Sequence, residues 1–219
     1  MPNPNQVHTI YQKRDGTRVP SVTTYLGILG KPAIIHWAWS LGVQGLDYRK
    51  VRDQAGDIGT LVHYLILSAL KNTEPDLSDY SQNDITATTI PMGKFSVWRE
   101  EHVLEPILLE TPLVSEYFSF GGTPDFYGKV DNRLVLLDFK TSGDIYAENF
   151  YQLAAYKKML EEQGCPVESA RIIRISKIID ENFDDRPAGN LDLHWEIFLA
   201  CQKIYELVKL TRRQKKEVE

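Results

Sequence analysis

Asp138 and Lys140 stand two apart at the end of RLVLLDFK, an apolar run that turns polar only at its last residues. On a strand, alternate side chains leave on the same face, so this carboxylate and ammonium lie about 7 Å apart along the chain and can serve one site. Asp125 follows the turn Gly121-Gly122-Thr123-Pro124, at hairpin distance from Asp138. Two carboxylates aimed at one point repel unless a proton or a cation comes between them. Mg²⁺ is the usual hard cation that takes carboxylate oxygens while keeping several waters. The backbone carbonyl of Phe139 can add another oxygen ligand. Lys140 then orients or polarises an attacking water and offsets the negative charge that grows on a phosphorane. An Asp-x-Lys triplet by itself is commonly a surface salt bridge. Its position at the end of an apolar strand, behind a Pro-Asp, is what gives it meaning.

Other residues carry weaker signals. Glu116, in VSEYF ahead of the glycine turn, is either a further acidic residue of the site or an ordinary strand-end carboxylate. Glu148, Gln152 and Tyr156 recur every four residues and share one helical face. Trp37, Trp39 and Tyr25 are of a type that stacks on single-stranded bases, but aromatic residues within an apolar helix are more often core, the reading favoured for Trp37. Arg171, Arg174 and Lys177 recur every three residues, so only some of them can face one groove. Arg212, Arg213, Lys215 and Lys216 read as a solvated helix end.

These residues need elements to position them. HTIYQKRDGTRVPSVT, residues 8–23, reads as a hairpin around Asp15-Gly16. A buried helix is expected from Pro32 to about Gly42, a second over about 57–70, and a third, amphipathic, over about 93–109. The polar stretch 72–90 reads as an exposed loop. Three strands follow at about 112–120, 124–130 and 133–140 as an antiparallel meander, then a helix over about 147–163 and a return strand in ARIIRISKII. A helix between strands implies an α/β crossover. A turn-rich loop at 181–190 leads to a last helix over about 191–213.

The 219 residues suit one domain, divided into a hairpin and helix (1–56), a catalytic core (57–180) and a C-terminal helix with a basic tail (181–219). No apolar run approaches the roughly 18 residues of a membrane span, and the first residues have neither secretory nor transit character, so a cytoplasmic protein of a bacterial or phage-infected cell is expected. The net charge of −5 excludes a broad basic face for nucleic acid, although an acidic metal cluster would itself contribute to that sum. Cys165 and Cys201 are too few for a disulfide framework, a four-thiolate zinc site or an iron–sulfur cluster.

Taken together, Pro124-Asp125 and Asp138-Phe139-Lys140 resemble the PD-(D/E)xK nuclease superfamily. Gly59-Thr60-Leu61-Val62-His63, Gln152-Leu153-Ala154-Ala155-Tyr156, and Lys31-Pro32-Ala33 with Trp37-Ala38 are similar to elements of its RecB-like exonuclease branch, including phage-type and mitochondrial genome maintenance exonucleases. The resemblance implies a restriction-endonuclease-like α/β core, a mixed central sheet flanked by helices. It implies His63 as a metal ligand, which admits Mn²⁺ beside Mg²⁺. It also implies that Gln152 and Tyr156 border the site, touching DNA phosphate or supporting Lys140. Some relatives carry four cysteines for an iron–sulfur cluster, and this chain has only two. The implied activity is metal-dependent cleavage of DNA, preferentially single-stranded or with free ends, in recombination, repair or end processing, with recombination or replication proteins as partners. A catalytically silent nucleic-acid-binding subunit and a phosphodiesterase of small substrates are the alternatives.

Overall fold

A strand that is apolar on both faces needs a covering layer on each side, and this chain draws the two layers from different segments. The structure, a computed structural model, describes residues 9–30, 32–181 and 183–218. Lys31 and the side chains of Pro32, Ala33, Lys215 and Lys216 lie outside the described ones. The order is β1 (Tyr11–Gln12), β2 (Arg18–Val19), α1 (Val22–Leu26), α2 (Pro32–Val43), α3 (Tyr48–Lys71), α4 (Gln82–Ala87), α5 (Thr89–Glu100) and β3 (Leu104–Leu109). There follow β4 (Leu113–Ser115), β5 (Phe120–Gly122), β6 (Phe126–Val130), β7 (Arg133–Lys140), α6 (Ala147–Glu162), β8 (Ser169–Arg174), β9 (Asp184–Pro187) and α7 (Asp192–Val218).

The central sheet is mixed, in the order β3-β6-β7-β8-β9, and β7 with β8 is its parallel pair, joined through α6. Leu136 of β7 faces a core of α1, α6 and α7 side chains, among them Tyr25, Leu153, Met159 and Phe198. Val135, Leu137 and Phe139 face a second core that α3 and α5 close with Val62, Ile66, Phe95 and Trp98. This is the α/β architecture of a helix-flanked mixed sheet expected above. No described helix is long and apolar enough to cross a membrane.

Several elements depart from expectation. The helix expected at 93–109 ends at Glu100, and residues 104–109 form edge strand β3 instead. Pro106 explains the difference: it has no N–H to continue a helix, whereas an edge strand with a local irregularity between Pro106 and Leu108 accommodates it. The strand expected at 112–120 is two short strands, β4 and β5, paired with each other around a turn. The meander neighbour of β6 is therefore β3. Within the loop expected at 72–90 lies α4, and α5 starts at Thr89. The turn-rich loop at 181–190 contains β9, a polar strand held to β8 by ion pairs of Arg171 with Asp185 and Arg174 with Asp184. The helix expected from 57 begins at Tyr48, capped by the Asp47 carboxylate on the Arg49 amide. Helix α2, expected to be buried, is largely exposed, with Ile35 at 73% and Trp39 at 66%, and Trp37 is exposed too. Tyr25, by contrast, is core.

Leu136 is fully buried at the centre of the sheet, between two packed strands and under α6. Leu136→Ala should cost about 2–5 kcal/mol in a denaturant titration. A loss below about 1 kcal/mol would contradict the placement of this residue between the layers.

Candidate active site

In the β6–β7 pair Phe126 faces Leu137, so the next step of the register sets Asp125 opposite Asp138 at the strand ends. Asp125 Oδ2 accepts a hydrogen bond from the Phe139 amide at 2.7 Å. The N–H and C=O of one strand residue point to the same side, so the Phe139 carbonyl also points past the end of β6, towards Asp125. The Phe139 ring packs the other way, edge-on to Phe95. Asp138 is 1% exposed. Lys140 Nζ forms an ion pair with Asp138 Oδ2 at 2.7 Å.

Two helices bring further groups to this edge. On α3, a side chain at Gly59 would come within 2.9 Å of the Thr141 hydroxyl, so glycine lets the helix approach the end of β7. One turn on, His63 Nδ1 lies 3.7 Å from Asp125 Oδ1. On α6, Gln152 accepts from Lys140 Nζ at 3.0 Å and donates to the Tyr156 hydroxyl at 2.8 Å. The Tyr156 ring rests against Gly122, where a Cβ would come within 2.5 Å of it, and Tyr11 lies as closely against Gly121. The glycine pair thus serves close ring packing as well as the turn.

Glu110 completes the cluster, and nothing in the sequence reading singled it out. It follows directly after β3 with φ 42°, and its amide donates to the Asp125 carbonyl at 3.1 Å. Ligand atoms of His63, Glu110 and Asp125 lie within 4.8 Å of one another. A cavity of about 10 Å³ opens among His63, Glu110, Asp125 and Phe139, room for about one water-sized sphere. The signal available beforehand was Pro106, which rules out the helix and turns LEPILLE into a strand ending in an acid. Glu116 is not in this cluster: it sits in the β4–β5 turn, where its carboxylate accepts from the Arg14 amide. Arg174 is buried and bonded to Asp184 and the Gly143 carbonyl, and Arg171 pairs with Asp185, so neither faces an open groove. Lys177 is nearer the site, donating to the Ala55 carbonyl beside Gly59.

The electrostatics follow from burial and charge together. Burial pushes the Asp138 carboxyl up to about 6, Lys140 opposing and the charge of Asp125 adding to the rise. Burial would also raise Asp125, but the charges of His63 and Lys140 and the Phe139 amide outweigh it and hold it below its ordinary value. Burial disfavours the Lys140 and His63 cations, yet the facing carboxylates raise both. Lys140 is therefore an ammonium at neutral pH and not a base. The donor set suits a divalent cation: a buried carboxylate at Asp138, a second at Asp125, a third at Glu110, one imidazole and a strand-end carbonyl.

Neither a known protein-family profile nor any curated protein matches the sequence. A solved structure does match: a provisionally named exonuclease from Eubacterium rectale, at 12% identity and TM-score 0.50, over 74% of this chain and 69% of that one. The two share a fold. At that identity the likeness bears on architecture, and the residues of the site have to be judged by their own geometry.

Asp138 and His63 titrate higher folded than unfolded, so the stability each contributes is present at low pH and lost as pH rises through the folded value. Asp125 titrates lower when folded, and its contribution is lost only in acid. The melting temperature of the protein in EDTA should therefore fall as pH rises through about 6, and Asp138→Asn should flatten that fall. A melting temperature that climbs steadily from pH 5 to pH 8 would contradict this charge arrangement.

Proposed function

We propose that the protein is a metal-dependent deoxyribonuclease that hydrolyses phosphodiester bonds from DNA ends, single-stranded or frayed ends being preferred. The observation that carries the reading is the juxtaposition of Asp125, Asp138 and Lys140, with the buried Asp138 carboxylate paired to the Lys140 ammonium directly opposite Asp125. Charged groups from two strands and two helices converge here on one buried point at the edge of the sheet. His63, Glu110, Asp125, Asp138 and the Phe139 carbonyl are the groups that would hold Mg²⁺ or Mn²⁺. That cation would supply Lewis-acid activation of the phosphate and of a bound water.

The chain's own residues do the rest. Lys140 has three N–H donors; Asp138 and Gln152 lie at two of its approaches, leaving the third for the scissile phosphate or the incoming water. The water oxygen bonds to phosphorus as the bond to the leaving oxygen breaks, and the proton released by the water ends on the leaving oxygen. Through this step the Lys140 charge offsets the negative charge on the phosphoryl oxygens. Gln152, itself anchored by Tyr156, fixes the ammonium in place, so Tyr156 acts through Lys140 as a positioning residue. The preference for ends rests on the resemblance to RecB-like exonucleases and on the net charge of −5, which leaves only a short local track for DNA. Roles in recombination, repair or end processing, and proteins of those processes as partners, follow from the same resemblance.

The test is a cleavage assay with Mg²⁺ or Mn²⁺ on a linear single strand, a closed single-stranded circle, a linear duplex and a small phosphodiester. Cleavage of the linear strand should be abolished by EDTA and fall by at least about a thousandfold in Asp125→Ala, Asp138→Ala and Lys140→Ala, while Glu110→Gln and His63→Ala should raise the metal concentration required. Full activity in any of the first three variants would sink the mechanism, and rapid cutting of the circle would sink the end requirement.

A further inference from the structure

Helix α7 packs one face against α1 and α6 through Trp195, Phe198 and Cys201, which are buried. Its opposite face is not polar. Leu193, Ile197, Ala200, Ile204 and Leu207 follow one another at steps of four, three, four and three, and all five are exposed, Leu193 at 77%. Alternation of three and four is the seam of a two-helix coiled coil, not the wider stripe with which a helix meets a globular core. The globular stripe already exists on the other side of α7, and no described residue covers this second seam.

The charges beside the seam select the occupant. Glu196 and Lys203 flank it on the solvent side, and neither forms an ion pair among the described residues. We infer that α7 pairs antiparallel with α7 of a second copy of this chain, about a two-fold axis between Phe198 and Leu199. In that register Leu193 meets Ile204 of the second copy, Ile197 meets Ala200, and Glu196 faces Lys203 on both sides of the axis. Such flanking pairs set orientation and partner choice in coiled coils. Sliding the pairing by one heptad would oppose Lys203 to its own copy, and a parallel pairing would set Glu196 against the buried Cys201 side of the seam. The antiparallel register is the one in which every charge beside the seam is complemented, and it makes an isologous contact that closes on itself.

The seam spans about 17 Å from Leu193 to Ile204, short for an obligate interface, so the dimer is reversible and dependent on concentration. Helix α6 packs between α7 and the sheet. The inference does not rest on the nuclease reading.

Sedimentation velocity of the full chain tests it over roughly a hundredfold range of concentration, enough to resolve a reversible equilibrium. The expected result is a monomer–dimer equilibrium that Ile197→Asp abolishes and that Glu196→Lys or Lys203→Glu weakens by about tenfold or more. The double variant Glu196→Lys with Lys203→Glu should recover the wild-type equilibrium. All three substitutions are on exposed positions, and unchanged melting curves at low concentration would show that the fold is intact. A monomer at every concentration, a dimer untouched by Ile197→Asp, or a double variant no better than the single ones would overturn it.

Discussion

Two carboxylates held at the facing ends of paired strands, Asp138 on β7 and Asp125 just before β6, set the terms for everything around them. Asp138 is carried there by backbone register: it belongs to the same row of side chains as Leu136, and it emerges where the core ends. Burying a charge costs several kcal/mol unless it is paired, and Lys140 supplies the first compensation. With His63 and the Phe139 amide drawn to Asp125, the cluster is balanced closely enough to fold, while burial and the charge of Asp125 still hold the Asp138 carboxyl above its ordinary value. A site poised in this way gains when a cation binds it, because the compensation is then completed.

The fold can be understood as the means of converging on that edge. Crossover β7–α6–β8 lays α6 over the same face of the sheet that carries Asp138 and Lys140, so Gln152 and Tyr156 reach the ammonium without any loop being involved. Helix α3 comes from the opposite layer and reaches the edge because Gly59 removes the one side chain that would hold it away. Beyond β8, the polar strand β9 is tied by Asp184 and Asp185 to Arg174 and Arg171 of β8. Function and packing therefore divide the basic residues between them. Lys140 is spent on the site, Arg171 and Arg174 on the sheet.

What the sequence disclosed follows the range of the interactions concerned. Asp138 with Lys140, and Gln152 with Tyr156, are fixed by strand and helix periods over two and four residues, and their convergence was legible from spacing and resemblance together. Asp125 needed one hairpin register, supplied by an Asp-Asn turn whose two residues both adopt positive φ. Glu110 was missed because its place depends on β3 pairing across to β6, a contact that no local pattern announces once LEPILL is taken as the tail of a helix. Glu116 was admitted as a candidate for the converse reason: it lies near the glycine turn in sequence, while the short β4–β5 hairpin turns it towards Arg14. Helix α2 misled through composition, since a helix apolar on most sides reads as buried whether or not the chain provides a cover.

The central claim is that this edge is a cation site built on carboxylates of mismatched acidity, and calorimetric titration of Mn²⁺ into metal-free protein tests it most directly. Run in buffers of different ionisation enthalpy at pH 6, near the raised value of Asp138, the titration should show binding accompanied by proton release, weakened in Glu110→Gln and lost in Asp138→Asn. Binding that is undetectable at millimolar Mn²⁺, or that survives unchanged in Asp138→Asn, would contradict the account.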